Sequence, residues 1–343
     1  MQNNLHTWVL VLLLVVLPTT LLAKIPDDIV CSNCHTMHNS QAGESMTSTS
    51  LYGLLLSTCS GCHTGLDGTS PIVANTQAPA VMQSSSPPGN SSGSNNMLAG
   101  GSFYWVATTG GNTDNTGHNV IGLSSEDADL GTTPPGNNGT PLASQLTCAG
   151  SRGCHGNSGI QNEVQALKAH HQDDTAPLDG SSIGMSYRFL SSVIGTEDAD
   201  WEYTYGSDDH NQYKGGSTWN SAATDTITSL CARCHGDYHG NPGVGTSGAS
   251  PWIRHPTDID LSTYGGEFAS YLTYEVFVPV ASTTGLTVVD SDVQTAGNGV
   301  VTCISCHRAH GSQYDSIMRW DYRAWPGTVD PIYGCGVCHS SKN

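Results

Sequence analysis

Long parts of this chain carry no hydrophobic period. Residues 64–102 and 107–142 are runs of Ser, Gly, Asn, Thr and Pro, which read as loops. The periodic segments between them are short. SLYGLLLST (50–58) suits a short helix delivering Cys59. IQNEVQALKAHH (160–171) is amphipathic at helical spacing and ends in two histidines. SAATDTITSLCARCH (221–235) suits a helix carrying Cys231. EFASYLTYEVFVPV (267–280) alternates enough for a strand or hairpin. The expected fold is therefore mostly irregular coil, with few short helices and minimal strand.

A concentrated apolar run, Trp8 to Leu17, stands at the start and is followed by PTTLLA ending at Ala23. It is shorter than the roughly 20 residues of a spanning helix and fits the core of a secretory signal. No Lys or Arg precedes it, and Leu21 is a poor partner for Ala23 at a small-x-small cleavage site. Cleavage after Ala23 is still the favoured expectation; an uncleaved anchor is its rival. Residues 1–23 are then a signal peptide and 24–343 a single domain, exported through the periplasm.

Composition sharpens the problem. Hydrophobic residues are 37% of 343, with four Phe, against the roughly 45–50% apolar content of globular domains. The net charge is −18 with 11 Lys plus Arg, which argues against nucleic acid and against an anionic membrane surface. Something other than side chains is needed to fill the interior.

The cysteines supply it. All twelve fall into six pairs, each followed at once by histidine: CSNCH (31–35), CSGCH (59–63), CAGSRGCH (148–155), CARCH (231–235), CISCH (303–307) and CGVCH (335–339). C-x-x-C-H reads as c-type haem attachment. Cys31, Cys34, Cys59, Cys62, Cys148, Cys154, Cys231, Cys234, Cys303, Cys306, Cys335 and Cys338 would form thioethers. His35, His63, His155, His235, His307 and His339 would be the proximal iron ligands. Zinc is the alternative, but a zinc ribbon requires no histidine after each pair. At the third site five residues separate the cysteines; a loop that bulges outward leaves both sulfurs in place, whereas a disulfide is the rival. Six covalent haem c groups would form the core, since burial scales with apolar area. The acidic clusters DDTAPLD and TEDADWE allow Ca²⁺ but read first as exposed loops.

Eight further histidines lie beyond the signal: His38, His118, His170, His171, His210, His239, His255 and His310. Six irons need six more ligands for electron transfer with no open coordination position. His38, His239 and His310 follow a proximal histidine by three or four residues. Three residues reach about 10 Å at most, too little to round a porphyrin and return to the same iron. Each should therefore clamp a neighbouring iron.

The motifs CSNCHTMHNS (31–40), GHNV (117–120), YRFL (187–190), CARCHGDYH (231–239), IRHP (253–256), CISCHRAHGSQYDSIMRW (303–320) and the final CGVCH resemble the extracellular hexahaem nanowire cytochromes, the OmcS-type filaments of metal-reducing bacteria. The resemblance implies bis-histidine haems, with His38 ligating the Cys303/Cys306 haem of the next subunit in a homopolymer. It implies His118, His239, His255 and His310 as distal ligands within the protomer. The third site departs from the family pattern, because no histidine follows His155 three residues on. His171 is the preferred substitute, with His170 and His210 as further candidates. The expectation is an extracellular electron-transfer protein at the cell surface, not an enzyme, serving external acceptors such as metal oxides or cells. Its rivals are a monomeric shuttle and a multihaem oxyanion reductase, which would keep one iron open.

Overall fold

The structure is a computed structural model that describes residues 34–35, 40–41, 44–45, 58–65, 71–73, 78–87, 98–108, 114–137, 139–167, 170, 178–204, 206, 208–218, 223–239, 255–284, 289–324 and 334–341. The signal segment, the expected helix at 50–57, Cys31, His38 and His171 lie outside the described residues.

Regular structure is sparse. Among the described residues five α-helices run over Cys59–His63 (α1), Tyr104–Thr108 (α2), Glu163–Ala166 (α3), Ile227–Ala232 (α4) and Cys303–Cys306 (α5). Three of them carry haem-motif cysteines. Helix α4 starts at a capping box, in which Thr226 accepts from Ser229 N and the Ser229 side chain answers the Thr226 backbone. Strands among the described residues form four two-residue pairs: Ser40–Gln41 with Glu44–Ser45, Thr64–Gly65 with Met82–Gln83, Gly195–Thr196 with Gln212–Tyr213, and Ile259–Asp260 with Val300–Val301. The second pair is parallel and the others antiparallel. Among the described residues no helix is long and apolar enough to cross a membrane.

Two expectations are corrected. The helix expected over 160–171 is cut to Glu163–Ala166, because the Ala166 carbonyl accepts from Asn157 N across a loop at 3.0 Å. The strand expected over 267–280 is absent. Gly266–Ser270 forms a 3₁₀ turn, and Val276, Phe277, Val278 and Val280 are all buried. Consecutive burial leaves no solvent face for a period of two. Tyr271 closes the loop instead, its hydroxyl donating to Val278 O at 2.7 Å and accepting from Glu275 N at 3.0 Å.

That loop belongs to the largest apolar cluster, which gathers Leu261, Tyr271, Tyr274, Phe277, Val293, Val301, Trp320 and Val337 with their valine neighbours. A second cluster centres on Tyr187, Val193, Tyr213 and Val300, and a third holds only Phe103, Val106 and Val120. Two buried arginines tie distant loops together. Arg308 donates to Leu98 O and Ala99 O, and Arg319 donates to Ile304 O, Val276 O and Ala99 O. The loops meet closely at Gly311, which bridges both Gly101 and Gly117. A side chain at Gly101 (φ +77°) would collide with the Gly311 carbonyl.

Candidate haem-binding site

The first five cysteine motifs open onto one continuous cavity of about 2150 Å³, lined by Cys34, Cys59, Cys62, Cys148, Cys154, Cys231, Cys234, Cys303 and Cys306 with the histidines that follow. A single small-ligand pocket spans about 300–1,000 Å³, so this space exceeds one ligand. The sixth motif joins it through His255, which lines the cavity and faces His339.

Consecutive motifs abut. Burial and the Cys34 thiol push Cys62 up to about 11. Cys148 donates to Cys59, which holds Cys59 below the usual thiol range and Cys148 above it. Surrounding protein, then Cys234, pushes Cys154 up to about 11, although its sulfur is open to the cavity. Cys231 donates in the same way to Cys303. Burial, then Cys338 and Cys335, pushes Cys306 up to about 12. The six motifs thus follow one another in space as they do in sequence.

Among the described residues four histidine pairs face each other across this row. Ring centroids are 6.2 Å apart for His63 and His170, 6.2 Å for His118 and His235, 6.3 Å for His155 and His310, and 6.1 Å for His255 and His339. Two metal–imidazole bonds of about 2 Å each, plus two ring radii, add to roughly 6 Å. The spacing of these pairs therefore fits one iron held between two imidazoles, and each pair contains one proximal histidine from a cysteine motif.

The tautomers agree. Nδ1 meets a backbone carbonyl in His63 (Pro79 O, 2.9 Å), His118 (Ala309 O, 2.7 Å), His155 (Arg188 O, 2.9 Å), His235 (Pro135 O, 2.7 Å), His255 (Pro256 O, 2.8 Å) and His307 (Ser316 O, 2.8 Å). A carbonyl only accepts, so Nδ1 carries the hydrogen and Nε2 keeps the lone pair a metal needs. Burial lowers the pKa of His63, His118, His155, His255 and His307, and takes His310 to about 3. These imidazoles are neutral at pH 7 and available as donors.

The third motif keeps the local geometry of the others despite its insertion. His155 N donates to Cys148 O at 3.0 Å, matching His235 N to Cys231 O at 2.9 Å, His307 N to Cys303 O at 3.1 Å and His339 N to Cys335 O at 2.9 Å. The five intervening residues fold outward through Thr147 N to Arg152 O and Gly153 N to Gly150 O. Gly150 (φ +87°) lies where a side chain would strike the Ile160 carbonyl. Cys148 and Cys154 are both free thiols, so the disulfide alternative is not formed.

A device not visible in the sequence supports the third and fifth motifs. Arg188 and Phe189 (φ 48° and 58°), and Ser316 and Ile317 (φ 57° and 51°), are consecutive left-handed residues. The first of each pair offers its carbonyl to the proximal Nδ1. The second accepts from the residue after the histidine, Gly156 N to Phe189 O and Arg308 N to Ile317 O, both at 2.8 Å. Left-handed non-glycine residues cost on the order of 1–3 kcal/mol each and gather where function requires them. YRFL and DSIM share no evident pattern, so only backbone dihedrals betray the repeat.

Other expected ligands are placed differently. His239 Nε2 lies 3.0 Å from Asp258 Oδ2. His210 stacks on Tyr274 with centroids 3.5 Å apart and its Nδ1 on Asn211 O. His170, rather than His210, faces a proximal ring, and does so at the second motif rather than the third; His310 faces the third. Among the described residues no histidine pairs with His307 at the 6 Å spacing. In TEDADWE, Asp198 and Asp200 accept backbone N–H groups of their own turn, from Glu202 and from Tyr203 and Thr204.

No protein-family model matches the chain. It is 28% identical over 373 residues to the C-type cytochrome OmcS of Geobacter sulfurreducens, covering 91% of this chain and 83% of that protein. Two solved structures align with it: the outer membrane cytochrome S filament of Geobacter sulfurreducens (22% identity, TM-score 0.43, 88% of this chain and 85% of that one) and the OmcS nanowires of the same organism (21%, 0.46, 86% and 84%). By sequence, over 91% of its length, the chain is similar to the C-type cytochrome OmcS.

Proposed function

We propose that this chain is a secreted multihaem c-type cytochrome that carries electrons over long distances outside the cell, as a homopolymeric filament. The observation that carries the reading is the set of four imidazole pairs spaced for an iron, each beside a pair of cysteines. Bound haem would supply one-electron redox chemistry. The chain's own residues would hold the group: the cysteines of the six motifs through thioether bonds, and the facing imidazoles as iron ligands. A saturated iron offers no position for substrate, so the protein is an electron carrier rather than an enzyme. Acceptors outside the cell, such as metal oxides or another cell, would receive the electrons.

In this reading the distal ligands of the second, third, fourth and sixth haems are His170, His310, His118 and His255. His239 is engaged with Asp258. The fifth haem, at His307, would take His38 of the adjacent subunit, which joins protomers into an unbroken haem row. A heterologous contact of this kind gives an open filament when its rotation does not close.

Replacing His38 with Ala tests the linkage. The variant should retain six haems by mass, show one more high-spin ferric centre than the wild type, and form no filaments under negative-stain microscopy. Filaments of normal length, with no high-spin iron beyond those of the wild type, would defeat it.

A further inference from the structure

Five proximal histidines have their Nδ1 partners defined, and one partner is of a different kind. His63, His155, His235 and His307 donate to backbone carbonyls. His339 instead donates to the Glu267 carboxylate, with Nδ1 3.4 Å from Oε1. Resting on the reading of Cys335, Cys338 and His339 as a haem site, we propose that Glu267 is a positioning residue that sets the iron at His339 to a lower potential than the carbonyl-supported irons.

Glu267 is held in place. Ser341 Oγ donates to its Oε2 at 2.5 Å, and Ser270 and Ser340 Oγ donate to its backbone carbonyl at 2.7 and 3.0 Å. Its side chain is 15% exposed, so its charge is only partly screened by water. Phe268 stands edge-on to the His339 ring at 5.4 Å and packs against the large apolar cluster. A carboxylate on Nδ1–H draws that hydrogen and makes Nε2 a stronger donor. A stronger donor, with a negative charge nearby, favours the ferric over the ferrous ion. The contact at 3.4 Å is longer than the 2.7–2.9 Å carbonyl bonds, so the charge contributes more here than the hydrogen bond does. The sixth motif ends the row of sites, and a lower potential there would distinguish one end of the protomer from the other.

The test is spectroelectrochemical titration of the full holoprotein, wild type against Glu267→Gln, with EPR of the ferric form. The glutamine keeps an acceptor for Nδ1 and removes the charge. One of six centres should become easier to reduce by about tenfold, which is 59 mV for one electron, and one low-spin EPR component should move. Glu267→Asp keeps the charge and should retain most of the low potential; it also serves if the glutamine variant folds poorly. Six unchanged potentials would overturn the proposal and leave the haem reading standing. Five haems by mass in the wild type, with Cys335 and Cys338 unmodified, would overturn the haem reading of this site and the proposal with it.

Discussion

Residues 59–170 and residues 258–339 hold C…C-H motifs of the same chemistry on different kinds of support. The first region has a three-residue apolar cluster, Phe103, Val106 and Val120, beside the second and third motifs. The second has the eleven-residue cluster around Phe277 beside the fifth and sixth. In the first, His63 faces His170, and His155 faces His310 of the second region, across a wide cavity. In the second, Val337 lies inside the side-chain core and Cys306, Cys335 and Cys338 pack against it. The chain thins its own apolar content where porphyrin surface would replace it, and keeps a conventional core at the end where the row stops.

The largest effect that could break this contrast is loss of haem. Produced without haem-attachment machinery, the chain should have no cooperative unfolding transition and should be cleaved rapidly by protease. Hydrogen exchange should be fast throughout residues 98–170, with residual protection confined to the amides around Val276–Val280. A protease-resistant apoprotein, or equal protection in both regions, would show that side chains suffice in each.

Much of this was legible in the sequence because covalent chemistry leaves fixed spacings. Six C…C-H motifs point to the proposed attachment points regardless of fold, and loop-rich composition between them predicts coil. The distal ligands were harder. His118, His255 and His310 could be named from motif resemblance, yet the iron each would serve depends on loops that meet only in three dimensions. His310 follows the fifth motif and faces the third. His239, four residues past its own motif's histidine rather than three, lies instead on Asp258, a buried carboxylate at φ 58°. The carbonyls of Pro79, Pro135, Arg188 and Ser316 carry no side-chain signal at all. The alternation read over 267–280 misled because Val276, Phe277 and Val278 are buried in succession, which a period of two does not describe.

A smaller perturbation sharpens the contrast from the other side. Phe277 is fully buried in the large cluster. Phe277→Ala should cost about 3–5 kcal/mol, read as a drop in the denaturation midpoint of the holoprotein. Haem content and the low-spin spectrum should stay at wild-type values, since Phe277 supports the wall and not a ligand. A normal midpoint would mean that the cluster adds little beyond what the haems already hold.

The smallest effect concerns the third motif, where the first region departs from all others. Its loop is three residues longer than C-x-x-C-H, and no helix encloses it. Glu163, at the start of α3, takes over: its Oε1 accepts from Cys148 N at 2.7 Å and from Ala149 N at 3.3 Å. A charged acceptor shared by two N–H groups replaces the helical turn that α4 and α5 supply at their own motifs. Glu163→Ala leaves both donors without that partner, one of them on fully buried Ala149. The expected cost is about 1–3 kcal/mol, with the third haem still attached, because His155 N to Cys148 O and the Arg188 carbonyl on His155 Nδ1 do not involve Glu163. The result should be local: faster amide exchange at Cys148–Gly153 and an unchanged iron. If exchange there is unaltered, the outward loop is self-supporting through its Gly150 and Gly153 turns, and the carboxylate is incidental to the way this motif tolerates five intervening residues.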